Sequence, residues 1–183
     1  MQVIETKIPG LLEIFPTVFG DHRGYFYESY NKEAFANIGV HHEFVQDNQS
    51  LSNKGVLRGL HFQNPPFAQG KLVRVIKGSV LDVVVDIRVG SPTYGQHHKV
   101  LLSGENKLQF WIPPGFAHGF LTLEDQTIFS YKCTEVYNKE SEGSVLWNDP
   151  ELGIVWDVKD PMLSPKDIEA KPLAELQSQF RFS

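Results

Sequence analysis

Residues Gly55 to Val80 read GVLRGLHFQNPPFAQGKLVRVIKGSV, and this stretch decides the fold class. Its β-branched and apolar residues, divided by an Asn-Pro-Pro turn signal, predict paired β-strands. The positions that should alternate into a core nevertheless carry Arg58, His61, Gln63 and Lys71. Bases and cations are costly inside a purely structural core, so we expect these four side chains to line a functional cavity.

The same rhythm of short strands and turns continues along the chain in KLQFWIPPG, HGFLTL and TIFSYKCTEVY. In SVLDVVVDIRVG, alternation with a period of two gives one apolar face and one mixed face that carries Asp82 and Asp86. Two short helices are predicted, NKEAFANIG with Asn31 as N-cap and SPKDIEAKPL with Ser164 as N-cap. The sequence therefore predicts one all-β domain over residues 1–183, a compact antiparallel β-barrel with a few short helices.

Composition limits the function classes. The chain has 183 residues, enough for one ordinary domain, and a net charge of −5, which argues against broad binding to nucleic acid or anionic membranes. Cys133 is the single cysteine, so an intrachain disulfide is excluded and a reducing compartment fits. The start MQVIETKIPGLLEI does not look like a secretory signal, and no apolar run is long enough to cross a bilayer. We expect a cytoplasmic enzyme or binding protein.

The segments Gly55–Gly78 and Gly104–Phe120 resemble the two motifs of the cupin jelly roll. This resemblance implies that the barrel is an antiparallel jelly-roll (cupin-like) β-barrel. In metal-binding cupins these motifs supply His-x-His, a Glu and a further His. Here the matching positions hold His61-Phe62-Gln63, Lys71 and His118. A protonated lysine has no lone pair and repels a cation, and two histidines are fewer ligands than a stable divalent site needs. We expect a cavity without metal.

A closer resemblance rests on DHRGYFYE, QDNQS, GVLRGLHFQ, QGKLVRVIKGSVLDVVVDIRVGSPTYG, IPPGFAHGF and the later Tyr-rich strand TIFSYKCTEVY, in this order. Together these motifs resemble the family of dTDP-4-dehydrorhamnose 3,5-epimerases, from about Asp21 to Asp167. The resemblance implies an isomerase that inverts C3 and C5 of dTDP-4-dehydro-6-deoxy-D-glucose through an enolate and needs no cofactor. The product would be dTDP-4-dehydro-L-rhamnose, in dTDP-rhamnose biosynthesis. It also implies a homodimer in which the segment from Arg23 to Glu28 reaches the neighbouring subunit's pocket.

The resemblance assigns four catalytic roles. His61 would be the base, oriented by Asp167; Tyr131 would be the acid on the opposite face; Lys71 would stabilise the enolate oxygen. Each position has an ordinary structural alternative. His61 fits a strand-end histidine, Tyr131 a core aromatic and Lys71 a solvated strand-end lysine, while Asp167 fits the first turn of a helix.

The substrate-binding residues implied by the resemblance share polar or aromatic character and fall in the same motifs. Arg23 and Arg58 would grip the diphosphate with their forked donors, and Phe26 would stack on thymine. His118, after a Pro-Pro-Gly turn, would donate a hydrogen bond to substrate, or serve only as a structural turn histidine. The remaining expected contacts are Glu28, Gln46, Asp47, Asn48, Gln63, Glu142 and Lys166.

Three other functions stay open at this stage. A related enzyme could invert one carbon only or move the ketone from C4 to C3 on the same barrel. A metal-dependent cupin such as a dioxygenase would need ligands where Gln63 and Lys71 stand. A sugar-nucleotide binding module would leave His61, Asp167 and Tyr131 without a task.

Overall fold

A computed structural model describes residues 1–182; Ser183, the last residue of the predicted domain, lies outside the described residues. Two sheets face each other. The six-stranded sheet has the order β1-β2-β10-β7-β12-β5, the five-stranded sheet has the order β13-β6-β11-β8-β9, and β3 and β4 form a separate hairpin. The strands are β1 (Gln2–Glu5), β2 (Leu12–Phe15), β3 (Phe19–Asp21), β4 (Gly24–Phe26), β5 (Gln46–Ser52), β6 (Leu57–Gln63), β7 (Lys71–Lys77), β8 (Ser79–Asp86), β9 (His97–Ser103), β10 (Gln109–Ile112), β11 (Phe116–Thr122), β12 (Thr127–Cys133) and β13 (Glu142–Ser144). This arrangement confirms the predicted jelly roll, with the two sheets open rather than closed into one ring.

The predicted helices are present and short. α1 (Lys32–Ala36) begins after Asn31, whose side chain accepts hydrogen bonds from two backbone N–H groups of the first turn. α2 (Pro165–Ile168) begins after Ser164, which caps the backbone N–H of Asp167. Two 3₁₀ turns, Lys139–Ser141 and Leu173–Glu175, complete the helical structure in residues 1–182. None of these helices combines the length and apolar composition that crossing a bilayer requires.

The predicted pairing within Gly55–Val80 is wrong, because β6 and β7 belong to different sheets. β6 pairs with β11 and β13, whereas β7 pairs with β10 and β12. β10 and β11, which follow one another along the chain, also lie in different sheets. Local alternation identifies strands but not their partners. In this jelly roll some successive strands pair, as β8 and β9 do, whereas others, such as β6 and β7, lie in opposite sheets. Consequently the cationic and basic residues of β6 and β7 face each other across the interior.

Three clusters of buried side chains hold the layers together. The first lies between the sheets and includes Val80, Val84 and Phe129. The second packs the C-terminal segment, with Trp156 and Phe180, on the outer face of the five-stranded sheet. The third packs α1 and its flanks on the outer face of the six-stranded sheet. Strand β8 contributes alternate residues to the first two clusters, which confirms the predicted period of two and turns the mixed face with Asp82 toward the interior.

Candidate active site

A cavity of about 500 Å³ opens between the two sheets. Most of the residues predicted from sequence line it, namely Gln46, Asn48, Arg58, His61, Gln63, Lys71, His118, Tyr131, Glu142 and Asp167. They come from both sheets and from the first turn of α2. The volume suits a small organic ligand held by a few convergent polar groups.

Strand β6 places Arg58 and His61 on the same side although they are three residues apart. The pairing of β6 with β11 sets Phe120 opposite Arg58 and His118 opposite His61, so Gly59 and Leu60 together span Gly119. This is a β-bulge, which re-aims the side chains that follow it. Gly59 has a φ of +134°, and a Cβ there would lie 2.4 Å from the Gly119 Cα, so only glycine fits.

His61 and Asp167 form a close imidazole–carboxylate pair. The Nε2 of His61 lies 2.5 Å from Oδ1 of Asp167. The Ser164 hydroxyl donates to Oδ2 at 2.7 Å, and the backbone N–H of Gly59 donates to Oδ1 at 3.4 Å. Burial acts to raise the pKa of Asp167, but the hydrogen bonds from His61 and Ser164 outweigh it and lower the pKa. Asp167 is therefore a carboxylate that can orient the imidazole.

The segment that carries Asp167 is tied back to the start of β6. Met162 forms a bridge with Val56, and its backbone exchanges hydrogen bonds with Gly55 and Leu57 at 2.8 and 3.0 Å. This explains how a carboxylate far along the chain reaches His61. The sequence signal for α2 was a helix start, and the structure shows that one Ser164 hydroxyl both caps the helix and contacts the carboxylate.

Tyr131 lies on the opposite wall, in β12. It stands across from Asn48 in β5 and Val73 in β7. Its ring packs against Phe129 with centroids 5.9 Å apart. Burial raises the pKa of the Tyr131 phenol, so the hydroxyl keeps its proton at neutral pH.

Lys71 begins β7 on the same wall, opposite Cys133 in β12 and Ile112 in β10. Burial lowers the pKa of its ammonium, and no ion pair joins it to a carboxylate of residues 1–182. Burial also raises the pKa of the Cys133 thiol to about 11, so that side chain is a neutral neighbour. An ammonium without a carboxylate partner can give its full charge to a ligand oxygen.

His118 forms a second imidazole–carboxylate pair that the sequence analysis missed. Its Nε2 lies 2.8 Å from Oδ2 of Asp82, and both side chains are buried. The available signal was a lone carboxylate on the interior face of β8 between Val80 and Val84. Without knowledge of strand partners, that signal does not identify which residue Asp82 contacts; the structure pairs β8 with β11 and sets Val84 opposite His118.

Gln63 lines the cavity, yet its amide is occupied by the protein. Its Nε2 donates to the carbonyls of Phe67 and Val136 at 2.7 and 3.1 Å, and its Oε1 accepts from the backbone N–H of Asn138 at 2.9 Å. The structure therefore does not place its polar group for the predicted substrate contact. Gln63 instead joins β6 to the loop after β12, which carries Tyr137.

Arg58, Gln46 and Glu142 stand near the mouth. Arg58 donates to the Ser52 hydroxyl at 3.3 and 3.4 Å. The side-chain Oε1 of Gln46 accepts a hydrogen bond from the backbone N–H of Tyr137 at 2.9 Å, and the Tyr137 hydroxyl lies 3.5 Å from Oε2 of Glu142. Tyr137 thus joins the cavity wall without having been predicted, since nothing in its local sequence separates it from other exposed tyrosines.

Five predicted contacts do not line this cavity. Asp47 points to the outer face of β5, where it pairs with Lys132, because neighbouring residues of a strand face opposite sides. Lys166 forms an ion pair with Glu142 at the rim. The other three are Arg23 and Phe26 in the β3–β4 hairpin and Glu28 in the segment after it.

The β3–β4 hairpin is strongly exposed. The side chain of Arg23 is 79% exposed and pairs with Asp21, and Phe26 is 70% exposed. Glu28 accepts a hydrogen bond from Asn31 at 3.2 Å, away from the cavity. The chain thus presents an aromatic hairpin to solvent rather than folding it over its own cavity.

The fold and the cavity define a class: a cupin-like jelly roll whose two sheets present acid and base side chains to one hollow. The family model described as dTDP-4-dehydrorhamnose 3,5-epimerase matches residues 5–175. The chain belongs to the dTDP-4-dehydrorhamnose 3,5-epimerase family.

Individual relatives agree with this assignment. The chain is 57% identical over 172 residues to dTDP-4-dehydrorhamnose 3,5-epimerase of Salmonella typhimurium, covering 93% of this chain and 94% of the relative. The crystal structure of dTDP-6-deoxy-D-glucose-3,5-epimerase from Legionella pneumophila with dTDP-4-keto-L-rhamnose is 50% identical, with a TM-score of 0.96 over 100% of this chain and 98% of that one. A 3'-monoepimerase from Streptomyces bikiniensis with dTDP-quinovose is 36% identical, with a TM-score of 0.87 over 92% and 86% of the two chains.

Proposed function

We propose that the chain inverts C3 and C5 of dTDP-4-dehydro-6-deoxy-D-glucose to give dTDP-4-dehydro-L-rhamnose, in the biosynthesis of dTDP-rhamnose. One observation carries the proposal. A base, His61, and an acid, Tyr131, stand on opposite sheets of one cavity, with the ammonium of Lys71 beside the acid. Inversion at a carbon next to a ketone needs this arrangement, because one face must lose a proton and the other must gain one.

The first half of each inversion is proton removal. With its Nε2–H donated to Asp167, His61 has a lone pair on Nδ1 that takes the proton from C3 or C5. The C–H bonding electrons move into the enolate, and negative charge collects on the C4 oxygen. Lys71 stabilises that oxygen most when the charge is fully developed, which lowers the barrier rather than only tightening substrate binding.

The second half is proton delivery to the other face. The Tyr131 hydroxyl gives its proton to the same carbon, the enolate returns to a ketone, and the carbon is inverted. One proton leaves to His61 and one arrives from Tyr131, so the sugar keeps its atoms and its oxidation state. Solvent then restores both side chains before the next inversion, and a side-chain exposure of 30% gives His61 access to water.

The products separate this function from its nearest alternatives. Purified protein in D₂O with the 4-keto sugar nucleotide is expected to place deuterium at both C3 and C5, as followed by NMR. Addition of a 4-keto reductase and NADPH should then consume NADPH and yield dTDP-rhamnose. Deuterium at one carbon would identify a mono-epimerase, and a 3-keto product a ketoisomerase. Folded wild-type protein that binds dTDP but gives no exchange would reject the enzyme proposal in favour of a binding module.

The exposed hairpin supports a further part of the proposal, a homodimer in which each cavity is completed by the neighbouring copy. Arg23, Phe26 and Glu28 have the donors, ring and carboxylate suited to a nucleotide diphosphate, but they lie outside their own cavity. Exposed aromatic side chains such as Phe26 and Tyr25 are typical of interaction surfaces. In each copy, Arg58 would then hold the diphosphate from within.

Mixed dimers test this exchange directly. Arg23→Ala and His61→Ala are each expected to be inactive as pure proteins. Co-expressed, they should recover up to about a quarter of wild-type activity, because half of the dimers are mixed and one site in each mixed dimer is intact. The matched control is Arg58→Ala co-expressed with His61→Ala, whose defects share one cavity, and it should recover nothing. No recovery in the first mixture would place Arg23 in its own chain's site or outside the site.

We also propose that the whole chain forms one domain that works in the cytoplasm without a metal or other cofactor. The ammonium of Lys71 occupies the wall where cupins carry a carboxylate ligand, which supports the absence of a divalent ion. Elemental analysis of protein purified without chelators checks this; a stoichiometric transition metal would overturn it. Fractionation of the native host checks the compartment.

A further inference from the structure

Asp82 differs from the other buried aspartates of the chain in how its oxygens are used. Asp86 accepts hydrogen bonds from Arg88, Ser91 and Thr93, at distances from 2.6 to 2.9 Å. Asp149 accepts backbone N–H groups on both oxygens, at 2.9 and 2.7 Å. These are structural carboxylates whose burial is compensated.

Asp82 has no such compensation. Its exposure is 0%, its Oδ2 meets only His118, and its Oδ1 has no hydrogen-bond partner in residues 1–182. A buried carboxylate oxygen left without a donor destabilises the folded state. Uncompensated polar groups of this kind cluster at functional sites, and the side-chain contact of Asp82 is with His118 in the cavity wall.

The environment of His118 fixes the ring in one orientation. Its Nε2 is 2.8 Å from Asp82, and its face stacks on Phe129, with centroids 6.2 Å apart and planes inclined by 23°. This is the only side-chain hydrogen bond of His118 within residues 1–182. Because a carboxylate accepts but does not donate, Nε2 carries the hydrogen and Nδ1 is the nitrogen left for a ligand in the cavity.

We propose that Asp82 is a positioning residue that holds His118 as the Nε2–H tautomer, so that the Nδ1 lone pair accepts a hydrogen bond from a hydroxyl of the sugar ring. This rests on the proposed function for the identity of the ligand. It reverses the expected polarity of His118, which becomes an acceptor rather than a donor. A site built to accept a hydroxyl hydrogen rejects a sugar that lacks that hydroxyl, since Nδ1 would then be left unpaired.

The tautomer can be measured without turnover. Long-range ¹H–¹⁵N correlation spectra of protein labelled at histidine, with dTDP bound, report which ring nitrogen carries hydrogen, and a His118→Gln spectrum assigns the signal. The expected result is a neutral ring with hydrogen on Nε2. Hydrogen on Nδ1, or on both nitrogens, would overturn the proposal even if every Asp82 variant failed to fold.

Variants then connect the tautomer to catalysis. In Asp82→Asn we expect kcat to fall by about 10²-fold, as for other displaced catalytic groups, with dTDP affinity within a few-fold of wild type. Hydrogen should appear on Nδ1 of His118 in the spectrum. The double variant Asp82→Asn/His118→Gln should be no slower than His118→Gln alone, because Asp82 acts through His118.

Asp86→Asn is the matched control. It disturbs a buried carboxylate on the same strand, and we expect a lower thermal midpoint with the His118 tautomer and kcat unchanged. Wild-type kcat in a folded Asp82→Asn protein would reject the positioning role. Wild-type protein without turnover would instead reject the proposed function, while the His118 spectrum in the dTDP complex would still decide the tautomer.

Discussion

Two imidazole–carboxylate pairs stand side by side in the cavity and differ in their surroundings. His61 and His118 are register partners on β6 and β11. The side chain of His61 is 30% exposed, and its partner Asp167 has three side-chain or backbone donors among residues 1–182. The side chain of His118 is 8% exposed, and its partner Asp82 has one donor in the same part of the chain. The same imidazole–carboxylate pair therefore occurs once with solvent access and several hydrogen bonds to the carboxylate, and once buried with a single hydrogen bond.

The difference fits the separate tasks proposed for His61 and His118. A base that gains and loses a proton in each cycle needs water nearby and a carboxylate that stays ionised beside the imidazolium, and the His61 pair has both. A ring that only holds a substrate needs a fixed orientation and no exchange with solvent. The His118 pair meets that need through burial, stacking and a single hydrogen bond.

Of the substitutions that separate the two pairs, removal of the His61 imidazole should cause the largest loss of kcat. We expect His61→Ala to lose ~10²- to 10⁴-fold in kcat and in deuterium exchange at C3 and C5, with dTDP affinity nearly unchanged, since a base acts on the proton and not on the nucleotide. His98, which pairs with Glu13 at 2.8 Å outside the cavity, offers a matched control, and His98→Ala should keep wild-type turnover. If deuterium exchange in His61→Ala stays within a few-fold of wild type, His61 is not the base and the His118 pair becomes the candidate for that role.

Replacement of Lys71 tests how its ammonium and the buried carboxylate of Asp82, the partner of His118, affect each other's charged form. Desolvation lowers the pKa of Lys71 even though the charge of Asp82 acts to raise it, so the ammonium is less stable in the folded chain than in water. We expect Lys71→Met to reduce kcat by about 10²- to 10³-fold, through loss of oxyanion stabilisation. The same variant should raise the thermal midpoint by about 2–4 °C, the shift that ~1 kcal/mol produces in a domain of this size.

The pH dependence of stability gives the sign of the Lys71 effect. A lysine whose pKa is lowered in the folded state destabilises that state as long as the buried ammonium is charged. The free energy of unfolding therefore rises as the pH increases from the folded-state pKa to the unfolded-state pKa near ~10.4. Wild-type protein should therefore gain stability over this alkaline window relative to Lys71→Met in urea titrations. A Lys71→Met protein that is less stable than wild type at neutral pH would show that the ammonium compensates Asp82 in the ligand-free chain.

The parts of the site that sequence could predict are those set by local patterns. Alternation on β12 puts Tyr131 on the same face as Phe129, which it contacts in the structure, and a helix-start pattern located Ser164 and Asp167. The pair of Asp82 and His118 depends on which strands are neighbours. Period-two alternation gives no information about partners, so that pair required the fold.

Two further features depend on more than the local alternation of side chains. The bulge at Gly59 brings Arg58 to the same side as His61, although a regular strand would turn them to opposite faces. Gln63 obeys the alternation and faces the cavity, but its amide is taken by backbone groups of a loop that arrives from β12. Local sequence predicts direction well and hydrogen-bond partners poorly, because partners come from distant segments.

Ser164 gives the smallest and most specific test of what supports the His61 pair. Ser164→Ala should lower kcat by about 10-fold, the effect of losing ~1.4 kcal/mol from a charge-assisted hydrogen bond to Asp167. It should also raise the pKa of Asp167, whose depressed value contributes stability above pH ~4 that is lost as pH falls through the folded-state pKa. The stability difference from wild type should therefore be larger at pH 7 than at pH 3.

Two variants at the same position serve as controls. Ser164→Thr should restore kcat and the pH dependence of stability, because threonine keeps the hydroxyl. Ser164→Gly should restore neither, although glycine is accepted at a helix N-cap at a cost of a few tenths of a kcal/mol. Wild-type kcat in Ser164→Gly would mean that the serine only caps α2 and that Asp167 holds His61 without its help.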